Sequence, residues 1–161
     1  AFNGSGRMRA SSRAPSVSVV MPTYNSARFV REAVESVRQQ TIDSWELLLV
    51  DDASTDATPS ILCALEESDT RIKVTRCSVN AGPATARNLA IAKAKGRYIA
   101  FLDSDDLWRH DKLEKQLNLF QRTGAPLVYS AYEKINEEGE RRGRIVRVPG
   151  SVTLEPARCT P

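Results

Sequence analysis

The sequence has few of the residues from which disulfide frameworks, zinc sites and membrane spans are built. Among 161 residues there are three cysteines, widely separated, and one histidine. An odd number of dispersed cysteines fits neither a disulfide framework nor a paired zinc site, and His110 has no His or Cys partner at ligand spacing. No apolar run approaches the roughly 18 residues that a transmembrane helix needs. We therefore expect reduced intracellular thiols, with Cys63 and Cys77 buried as apolar side chains, and no segment that crosses a bilayer.

The charges of the chain are almost balanced. There are 23 basic and 20 acidic residues, and the net charge of +3 arises mainly from arginines near the two ends. Such clusters are more often solvated surface than nucleic-acid-binding patches, so we expect no nucleic-acid partner. A hydrophobic content of 41% at this length fits one domain with an ordinary core.

Strand and helix patterns alternate from Val17 onward. We predict a flexible lead-in at residues 1–16, one domain over residues 17–148 and an irregular tail over residues 149–161. Apolar patterns predict strands at 17–21, 46–50, 72–76, 98–102 and 127–132, with a turn at 136–139. Helices are predicted at 27–40, from Thr58 as N-cap with Pro59 at N1, from Gly82-Pro83 to about Lys95 with Gly96 as a left-handed cap, and around Leu113, Leu117 and Phe120.

This alternation predicts an α/β fold with a mainly parallel sheet and right-handed crossover connections. In such a sheet, the loops that follow the strands emerge at one edge, and ligands bind in the crevice between them. The loops that begin at Pro22, Asp51 and Asp103 should therefore converge.

The third of these loops carries the strongest chemical signal. An apolar strand runs directly into Asp103-Ser104-Asp105-Asp106, where three carboxylates fall within four residues. Asp103 and Asp105 are two residues apart, so in an extended segment both side chains point the same way. Together they could hold one divalent cation that carries phosphate oxygens. The loop therefore predicts a metal–diphosphate site, with Asp106 in a capping or orienting role.

The first loop has two readings. Tyr24 in Pro22-Thr23-Tyr24-Asn25 could stack on a planar base. Alternatively, the segment is a capping turn in which Asn25 or Ser26 is the N-cap of the following helix.

The second loop and the third helix are also ambiguous. Asp51 and Asp52 could accept hydrogen bonds from a base or ribose, or they could be structural, whereas Asp56 is expected to cap a helix. Arg87 lies one turn into the helix that follows Gly82, where its charge and the positive helix end could face one anion. As an isolated helical arginine, it could equally be a solubilising surface residue.

Four segments together resemble the family 2 glycosyltransferases in order and spacing, from about Val17 to Val148. They are Pro22-Thr23-Tyr24-Asn25, Asp51-Asp52-Ala53-Ser54-Thr55-Asp56, Asn80-Ala81-Gly82 with Ala86-Arg87-Asn88, and Phe101-Leu102-Asp103-Ser104-Asp105-Asp106. The resemblance implies the GT-A fold, a Rossmann-like nucleotide-binding sandwich. It also implies a nucleotide-diphosphate sugar as donor and Mg²⁺ or Mn²⁺ as cofactor.

The resemblance assigns roles by matched position. Tyr24 would stack on the base, Asp52 would hydrogen-bond to it, and Arg87 would contact the nucleotide. Asp103 and Asp105 look like the family's DXD motif, with Asp105 as direct metal ligand and Asp103 near the ribose or the metal. The remaining expected donor-binding residues are Pro22, Thr23, Asn25 and Ser104. By family analogy the site fits uridine best, so a UDP-sugar is the expected donor.

The family's chemistry is inverting transfer to a carbohydrate or lipid-linked acceptor, commonly in polysaccharide biosynthesis. It implies a cytoplasmic setting, with peripheral association at the inner membrane as a further expectation. The family's general base is a carboxylate in the second half of the domain, and no residue here matches it. We therefore predict no catalytic residue in this sequence. The expectation is a donor-binding half, truncated at the C-terminus and inactive in transfer on its own.

Three alternatives remain open. Asp103-Ser104-Asp105 has the spacing of a magnesium-dependent aspartyl phosphatase, although the Thr expected at position 107 is Leu107. Asp51 and Asp52 resemble the paired acids of a phosphoacceptor module, although they follow the second strand and not the first. The third alternative is a non-catalytic, nucleotide-binding remnant of the glycosyltransferase family.

Overall fold

Strands and helices alternate as the sequence predicts. The computed structural model describes residues 14–136 and 139–147, so most of the predicted lead-in and all of the predicted tail lie outside the described residues. The elements are β1 (Val17–Thr23), α1 (Val30–Arg38), β2 (Trp45–Asp51), α2 (Thr58–Ser68), β3 (Ile72–Arg76), α3 (Pro83–Lys93), β4 (Tyr98–Phe101), α4 (Lys112–Thr123), β5 (Tyr132–Ile135) and β6 (Arg141–Val146). The chain divides into two compact units, residues 1–111 and 112–161.

The first unit is built on a four-stranded sheet in the order β3-β2-β1-β4. All its strand pairs are parallel, which confirms the predicted sheet. Val17 at the start of β1 pairs with Trp45 of β2 on one side and with Tyr98 of β4 on the other. Strand β1 is therefore central, a position that the linear pattern alone does not reveal.

Burial explains why β1 is the central strand. All seven of its residues are buried, and β2 is buried at six of its seven positions. On one face, Val20, Leu48 and Val50 pack against Ala86 and Ala90 of α3, whose small side chains let the helix lie close to the sheet. Residues of the opposite face are also fully buried, so both faces of the central strands are covered. Continuous apolar runs of this kind are typical of parallel strands buried on both sides.

The start of α2 differs from the prediction by one residue. The helix begins at Thr58, and Asp56 provides the capping acceptor because its Oδ1 accepts a hydrogen bond from the Thr58 amide at 2.8 Å. The Thr58 hydroxyl is occupied elsewhere, since it accepts a hydrogen bond from the Ser26 amide at 2.8 Å. The capping role of Asp56 is confirmed, and the assignment of Thr58 as N-cap is wrong.

The predicted left-handed cap at Gly96 is also wrong. Helix α3 ends at Lys93 and is followed by Ala94 in an extended conformation. Gly96 is required for a different reason. A Cβ at this position would overlap the backbone nitrogen of Ser18 and lie 2.6 Å from the carbonyl carbon of Val17.

A hydrogen-bond network holds this close approach together. The Gly96 amide donates to the Ser18 hydroxyl at 2.8 Å, and that hydroxyl donates to Glu46 Oε1 at 2.6 Å. The Lys95 amide donates to the same Glu46 oxygen at 2.7 Å. The chain thus enters β4 pressed against the start of β1, and glycine is the only residue that fits.

The second unit contains α4 and an antiparallel hairpin of β5 and β6. The strand predicted at 127–132 is wrong, since β5 runs from Tyr132 to Ile135. The turn that follows sets this position. Asn136 Oδ1 accepts a hydrogen bond from the Glu140 amide at 2.7 Å, and Gly139 adopts a φ of 78°. These residues confirm the predicted turn, whose Glu137 and Glu138 lie outside the described residues.

The cysteine prediction is only partly correct. Cys77 is half-buried against the Val20 cluster, whereas Cys63 is exposed on α2 with its thiol 3.7 Å from Glu67 Oε1. Leu62 and Leu65 are the buried apolar residues of that helix, and Cys63 is exposed. Among residues 14–136 and 139–147, no helix combines the length and apolar character that a membrane span requires.

An acidic residue links the end of α2 to the start of β3. Asp69 accepts hydrogen bonds from the backbone amide, Nε and Nη2 of Arg71 at 3.0, 3.1 and 2.8 Å. The guanidinium of Arg71 in turn stacks on the buried Trp45 ring, 3.7 Å from its centroid. Hydrogen bonds from the Arg71 side chain, which outweigh the opposing effect of burial, hold the pKa of Asp69 below its ordinary value of 3.8.

We predict that Gly96→Ala destabilises the protein by about 3 kcal/mol or more, because the new methyl group would collide with backbone atoms that cannot move aside. Chemical denaturation measures the loss. Lys95→Ala, which changes the exposed neighbouring side chain but not the backbone contacts, is the control and should unfold as the wild type does. Wild-type stability in Gly96→Ala would contradict the close packing of this connection.

We predict that Asp69→Asn lowers stability at pH 7 by about 1 kcal/mol, because the charged acceptor of Arg71 is lost. The pKa of Asp69 is lower in the folded than in the unfolded chain, so its stabilisation is present above about pH 4 and disappears as the pH falls further. The difference between wild type and variant should shrink accordingly in acid.

The matched control for this experiment is Asp43→Asn. Asp43 also faces Arg71, at 3.7 Å, but its side chain is 97% exposed, and an ion pair in water contributes little. A pH-independent loss in Asp69→Asn, or an equal loss in Asp43→Asn, would contradict the assignment.

Candidate functional site

The three loops predicted to converge do so at one edge of the sheet. They border a cleft of about 470 Å³ lined by Pro22, Thr23, Tyr24, Asp52, Asn80, Gly82, Pro83, Arg87, Asp103, Ser104 and Asp105. Every donor-binding residue predicted from the sequence except Asn25 is in this lining. Asn80, Gly82 and Pro83 were not among the predicted site residues. The feature of the sequence that could have identified them is the Asn80-Ala81-Gly82 segment. It lies between β3 and α3 and does not directly follow a strand, so the strand-end rule does not select it.

A second depression, of about 480 Å³, includes residues of the β2–α2 loop. It is lined by Ala53, Ser54, Arg76, Cys77 and Ser78. Its lining has a single charged residue, and the Nε of that residue, Arg76, is already 3.4 Å from Oδ2 of the buried Asp51. The first cleft combines an aromatic ring, a cation and carboxylates, so it is the candidate functional site.

The first loop has a hydrogen-bonded backbone and an exposed aromatic side chain. Thr23 is buried, its hydroxyl donates to the Val50 carbonyl at 3.2 Å, and its own carbonyl accepts the Asp52 amide at 2.9 Å. Tyr24 follows immediately and is 50% exposed on the cleft. An exposed ring on a fixed backbone is suited to stacking on a planar group.

Asn25 connects the first two loops. It has a φ of 48°, a conformation that Asn tolerates better than most residues. Its amide donates to Ser54 Oγ at 2.9 Å, and its Oδ1 accepts the Thr55 amide at 2.9 Å. Asn25 therefore supports the site from outside its lining. The alternative that Asn25 or Ser26 is the N-cap of α1 is wrong, because the residue at that position is Phe29.

The two adjacent aspartates have separate partners. Asp51 is buried, and its Oδ1 accepts the Ser54 amide at 3.1 Å. Asp52 is also buried, and its two carboxylate oxygens accept the amides of Ala81 and Gly82 at 2.9 and 2.7 Å. Asp52 thus holds the loop before α3 in place. Each carboxylate oxygen has two lone pairs, so acceptor capacity remains for a ligand at the cleft.

The N-terminus of helix α3 borders the same cleft as the acidic loop. Gly82, with a φ of 86°, precedes the helix, and Pro83 occupies its first turn, where the missing amide hydrogen is no loss. Arg87 lies one turn further on, and its Nη2 is 2.5 Å from Asp103 Oδ1. The arginine and the positive helix end therefore both border the cleft.

The acidic loop is a tight turn with concentrated negative charge. The Asp106 amide donates to the Asp103 carbonyl at 3.1 Å. Partial desolvation of its carboxyl group, followed by the negative charges of Asp105 and Asp103, raises the pKa of Asp106 above 3.8. Three carboxylates thus lie in one turn, in which Arg87 pairs with Asp103.

A cation would have to be shared with a ligand. In the part of the chain that the structure describes, no three His, Cys, Asp or Glu side chains come together as a metal site. Asp103 and Asp105 could supply two carboxylates from the cleft wall, and hard cations such as Mg²⁺ and Mn²⁺ accept such oxygens together with those of phosphate groups. The residues present therefore fit a cation that binds together with a diphosphate.

Comparison with known proteins identifies the family of the chain. The family model described as glycosyl transferase family 2 matches residues 18–158, ten residues beyond the point where the motif resemblance ends. The Bacillus subtilis protein TuaG, named for glycosyltransfer in teichuronic acid biosynthesis, is 41% identical over 89% of this chain and 57% of its own. The Escherichia coli glucosyltransferase WfgD, named for transfer from UDP-Glc to a GlcNAc-diphosphoundecaprenol, is 44% identical over 74% of this chain and 47% of its own.

Solved structures show the same fold. Staphylococcus aureus TarS in complex with UDP superposes with a TM-score of 0.62 and 28% identity, over 74% of this chain and 41% of that one. The Pyrobaculum calidifontis mannosyltransferase PcManGT, with GDP-Man and Mn²⁺, gives a TM-score of 0.65 and 28% identity, over 76% and 37%. This chain thus covers between 37% and 57% of the length of these four proteins.

We predict that Asp52→Asn destabilises the protein by about 1–3 kcal/mol, because an amide NH₂ cannot replace the carboxylate oxygen that accepts one of the two loop amides. Thermal unfolding measures the loss, and amide hydrogen exchange at Ala81 and Gly82 should become faster. Glu32→Gln, on an exposed face of α1, is the control. Unchanged stability and exchange in Asp52→Asn would show that the loop does not depend on this carboxylate.

Proposed function

The chain belongs to glycosyltransferase family 2, and on this premise we propose that it forms the donor-binding part of an inverting glycosyltransferase that uses a UDP-sugar. The observation that carries the proposal is the convergence of Tyr24, Arg87, Asp103 and Asp105 on one cleft. An aromatic face, a guanidinium and a pair of carboxylates are the groups that a base, a diphosphate and its cation require. Family membership leaves no support for the aspartyl phosphatase and phosphoacceptor alternatives.

In this proposal the nucleotide lies along the cleft from Tyr24 to Asp105. The half-exposed Tyr24 ring stacks on the base, and Asp52 uses its remaining lone pairs for the base or ribose. Arg87 and the N-terminus of α3 face the diphosphate, where both favour negative charge. Arg87 then exchanges part of its contact with Asp103 for phosphate oxygens, so the donor binds without leaving the guanidinium unpaired.

Asp103 and Asp105 are proposed to hold Mg²⁺ or Mn²⁺ together with the diphosphate. The bound cation would supply charge that offsets the leaving diphosphate. Two observations support this role. Asp103 and Asp105 both line the cleft, and one structural neighbour binds GDP-Man with Mn²⁺.

We propose that an acceptor hydroxyl displaces the nucleoside diphosphate with inversion at the anomeric carbon. Such a displacement requires a general base at the acceptor hydroxyl, and we place that base in the part of the relatives that this match does not cover. The chain by itself is then a donor-binding unit with little or no transferase activity. A non-catalytic remnant of the family would also bind the nucleotide. It would lack the acceptor-side half of the site, which holds the general base.

The donor and acceptor classes rest on the relatives. TarS has been solved with UDP and with UDP-GlcNAc, and WfgD is named for UDP-Glc and a lipid-linked acceptor. PcManGT is a structural neighbour solved with GDP-Man, so this fold also accepts a guanine nucleotide. We propose UDP-sugar as donor and a carbohydrate or lipid-linked acceptor, with the enzyme at the cytoplasmic face of the membrane in polysaccharide biosynthesis.

We predict that UDP binds the protein and that Mn²⁺ strengthens this binding by about tenfold or more, as expected for a cation that bridges two carboxylates and a diphosphate. Isothermal titration calorimetry with Mn²⁺ or with EDTA measures both affinities, with GDP and dTDP as competitors for the base. The double variant Asp103→Ala, Asp105→Ala should lose the metal-dependent increase.

The control is the double variant Glu35→Ala, Asp43→Ala, which removes two exposed carboxylates away from the cleft and should bind as the wild type does. Absence of nucleotide binding by folded wild-type protein would overturn the proposed donor site. Metal-dependent binding that survives in the Asp103→Ala, Asp105→Ala variant would show that other residues hold the cation.

A further inference from the structure

Ser26 is a buried residue whose hydroxyl contacts both the loop of Tyr24 and the acidic loop. It is 7% exposed and does not line the cleft. Its hydroxyl oxygen is 2.8 Å from the hydroxyl oxygen of Ser104, which lies between Asp103 and Asp105. It is also 3.2 Å from both the amide nitrogen and the carbonyl oxygen of Tyr24. One buried hydroxyl therefore touches the loop of the aromatic ring and the loop of the carboxylates.

Counting protons determines how these contacts are made. A serine hydroxyl has one hydrogen to donate and two lone pairs to accept with. The Tyr24 amide can only donate and the Tyr24 carbonyl can only accept. If Ser26 accepts from the Tyr24 amide and donates to the Tyr24 carbonyl, its second lone pair accepts from the Ser104 hydroxyl. The one hydrogen and both lone pairs of the Ser26 hydroxyl are then in use. The hydroxyl therefore makes all the hydrogen bonds that it can make.

The backbone of Ser26 is equally constrained. Its amide donates to the hydroxyl of Thr58 at 2.8 Å, and Thr58 is completely buried at the start of α2. Its carbonyl accepts the amides of Phe29 and Val30, both at 3.0 Å, at the start of α1. Ser26 is thus held by two helix starts, and its hydroxyl transmits that fixed position to Tyr24 and Ser104.

We propose that Ser26 is a positioning residue that couples the base end of the donor cleft to its metal–diphosphate end. The inference rests on the proposed donor site. With the hydroxyl present, Tyr24 and Ser104 keep one relative position, and a nucleotide that contacts both ends finds them prearranged. Without it, each loop is still attached to its own strand, but the two loops no longer have a common hydrogen-bond partner. The hydroxyl thus strengthens the energetic link between nucleotide and cation that the shared diphosphate provides.

The measurable quantity is the metal enhancement, defined as the Kd of UDP in EDTA divided by the Kd of UDP in Mn²⁺. We expect Ser26→Ala to reduce this ratio by about three- to tenfold, the effect of one lost buried hydrogen bond, while the Kd in EDTA changes by less than about twofold. Ser26→Thr keeps the hydroxyl and should restore the ratio. Calorimetric titration at matched protein concentrations gives every value.

Ser36→Ala is the matched control. Ser36 is 8% exposed, its hydroxyl donates to the Ala33 carbonyl at 2.7 Å and accepts the Trp108 amide at 3.2 Å, and it lies on α1 outside the cleft lining. A purely structural role for Ser26 would lower the melting temperature as Ser36→Ala does and leave the metal enhancement unchanged. That result would overturn the inference.

Ser104→Ala tests the same hydrogen bond from the partly exposed side, and it stands in for Ser26→Ala if that variant fails to fold. In the double variant Ser26→Ala, Ser104→Ala, the metal enhancement should fall no further than in either single variant. The reason is that each substitution alone already removes the hydrogen bond between the two hydroxyls. Additive losses would overturn the coupling through Ser26 and Ser104. Failure of folded wild-type protein to bind UDP would overturn the donor site itself. Wild-type binding with an unchanged ratio in the variants would overturn only this inference.

Discussion

The site depends on the double pairing of β1. This strand is buried along its whole length and is hydrogen-bonded on both sides, to β2 and to β4. Because all three strands run parallel, their carboxyl ends lie near one another at one edge of the sheet. The loops that follow these strands therefore come together there. A shift of β1 by one residue would exchange its buried faces and move Tyr24 away from the cleft. The apolar core of the sheet is therefore the part of the molecule that sets distances between polar groups.

Several polar groups at the cleft are already bonded to one another. Asp52 accepts two backbone amides, Asp103 pairs with Arg87, and Ser26 joins Ser104. A cleft of this kind loses little further conformational entropy when a ligand binds, because its side chains are held before the ligand arrives. The Tyr24 side chain differs from these groups, because its ring is half-exposed although its backbone is hydrogen-bonded. The arrangement is a rigid polar floor with one adaptable aromatic residue at its rim.

The sequence predicted those features that depend on local pattern and sheet geometry. Continuous apolar runs identified β1 to β4, and the rule that parallel strands open on one edge brought Pro22, Asp52 and Asp103 together. Sequence-based prediction failed where a contact between residues far apart in the chain determines the role of a residue. Gly96 looked like a helix cap, although the approach of Ser18 requires it, and Ser26 looked like an N-cap, although it joins two loops 78 residues apart. The strand at 127–132 was misplaced because the turn at Asn136 and Gly139, and not the apolar run, sets the start of β5.

The connection between α3 and β4 has a consequence for how this fold can vary. At the cleft edge of the sheet, loops can lengthen or shorten and change which ligand is bound. At the opposite edge, Gly96 and Glu46 hold the chain against Ser18 and so determine where β4 begins. One inserted residue there would carry the acidic loop about 3.3 Å along the sheet, away from Arg87. We therefore expect insertions and deletions during evolution to accumulate in the other connections, while this short segment keeps its length in every descendant that still binds its donor.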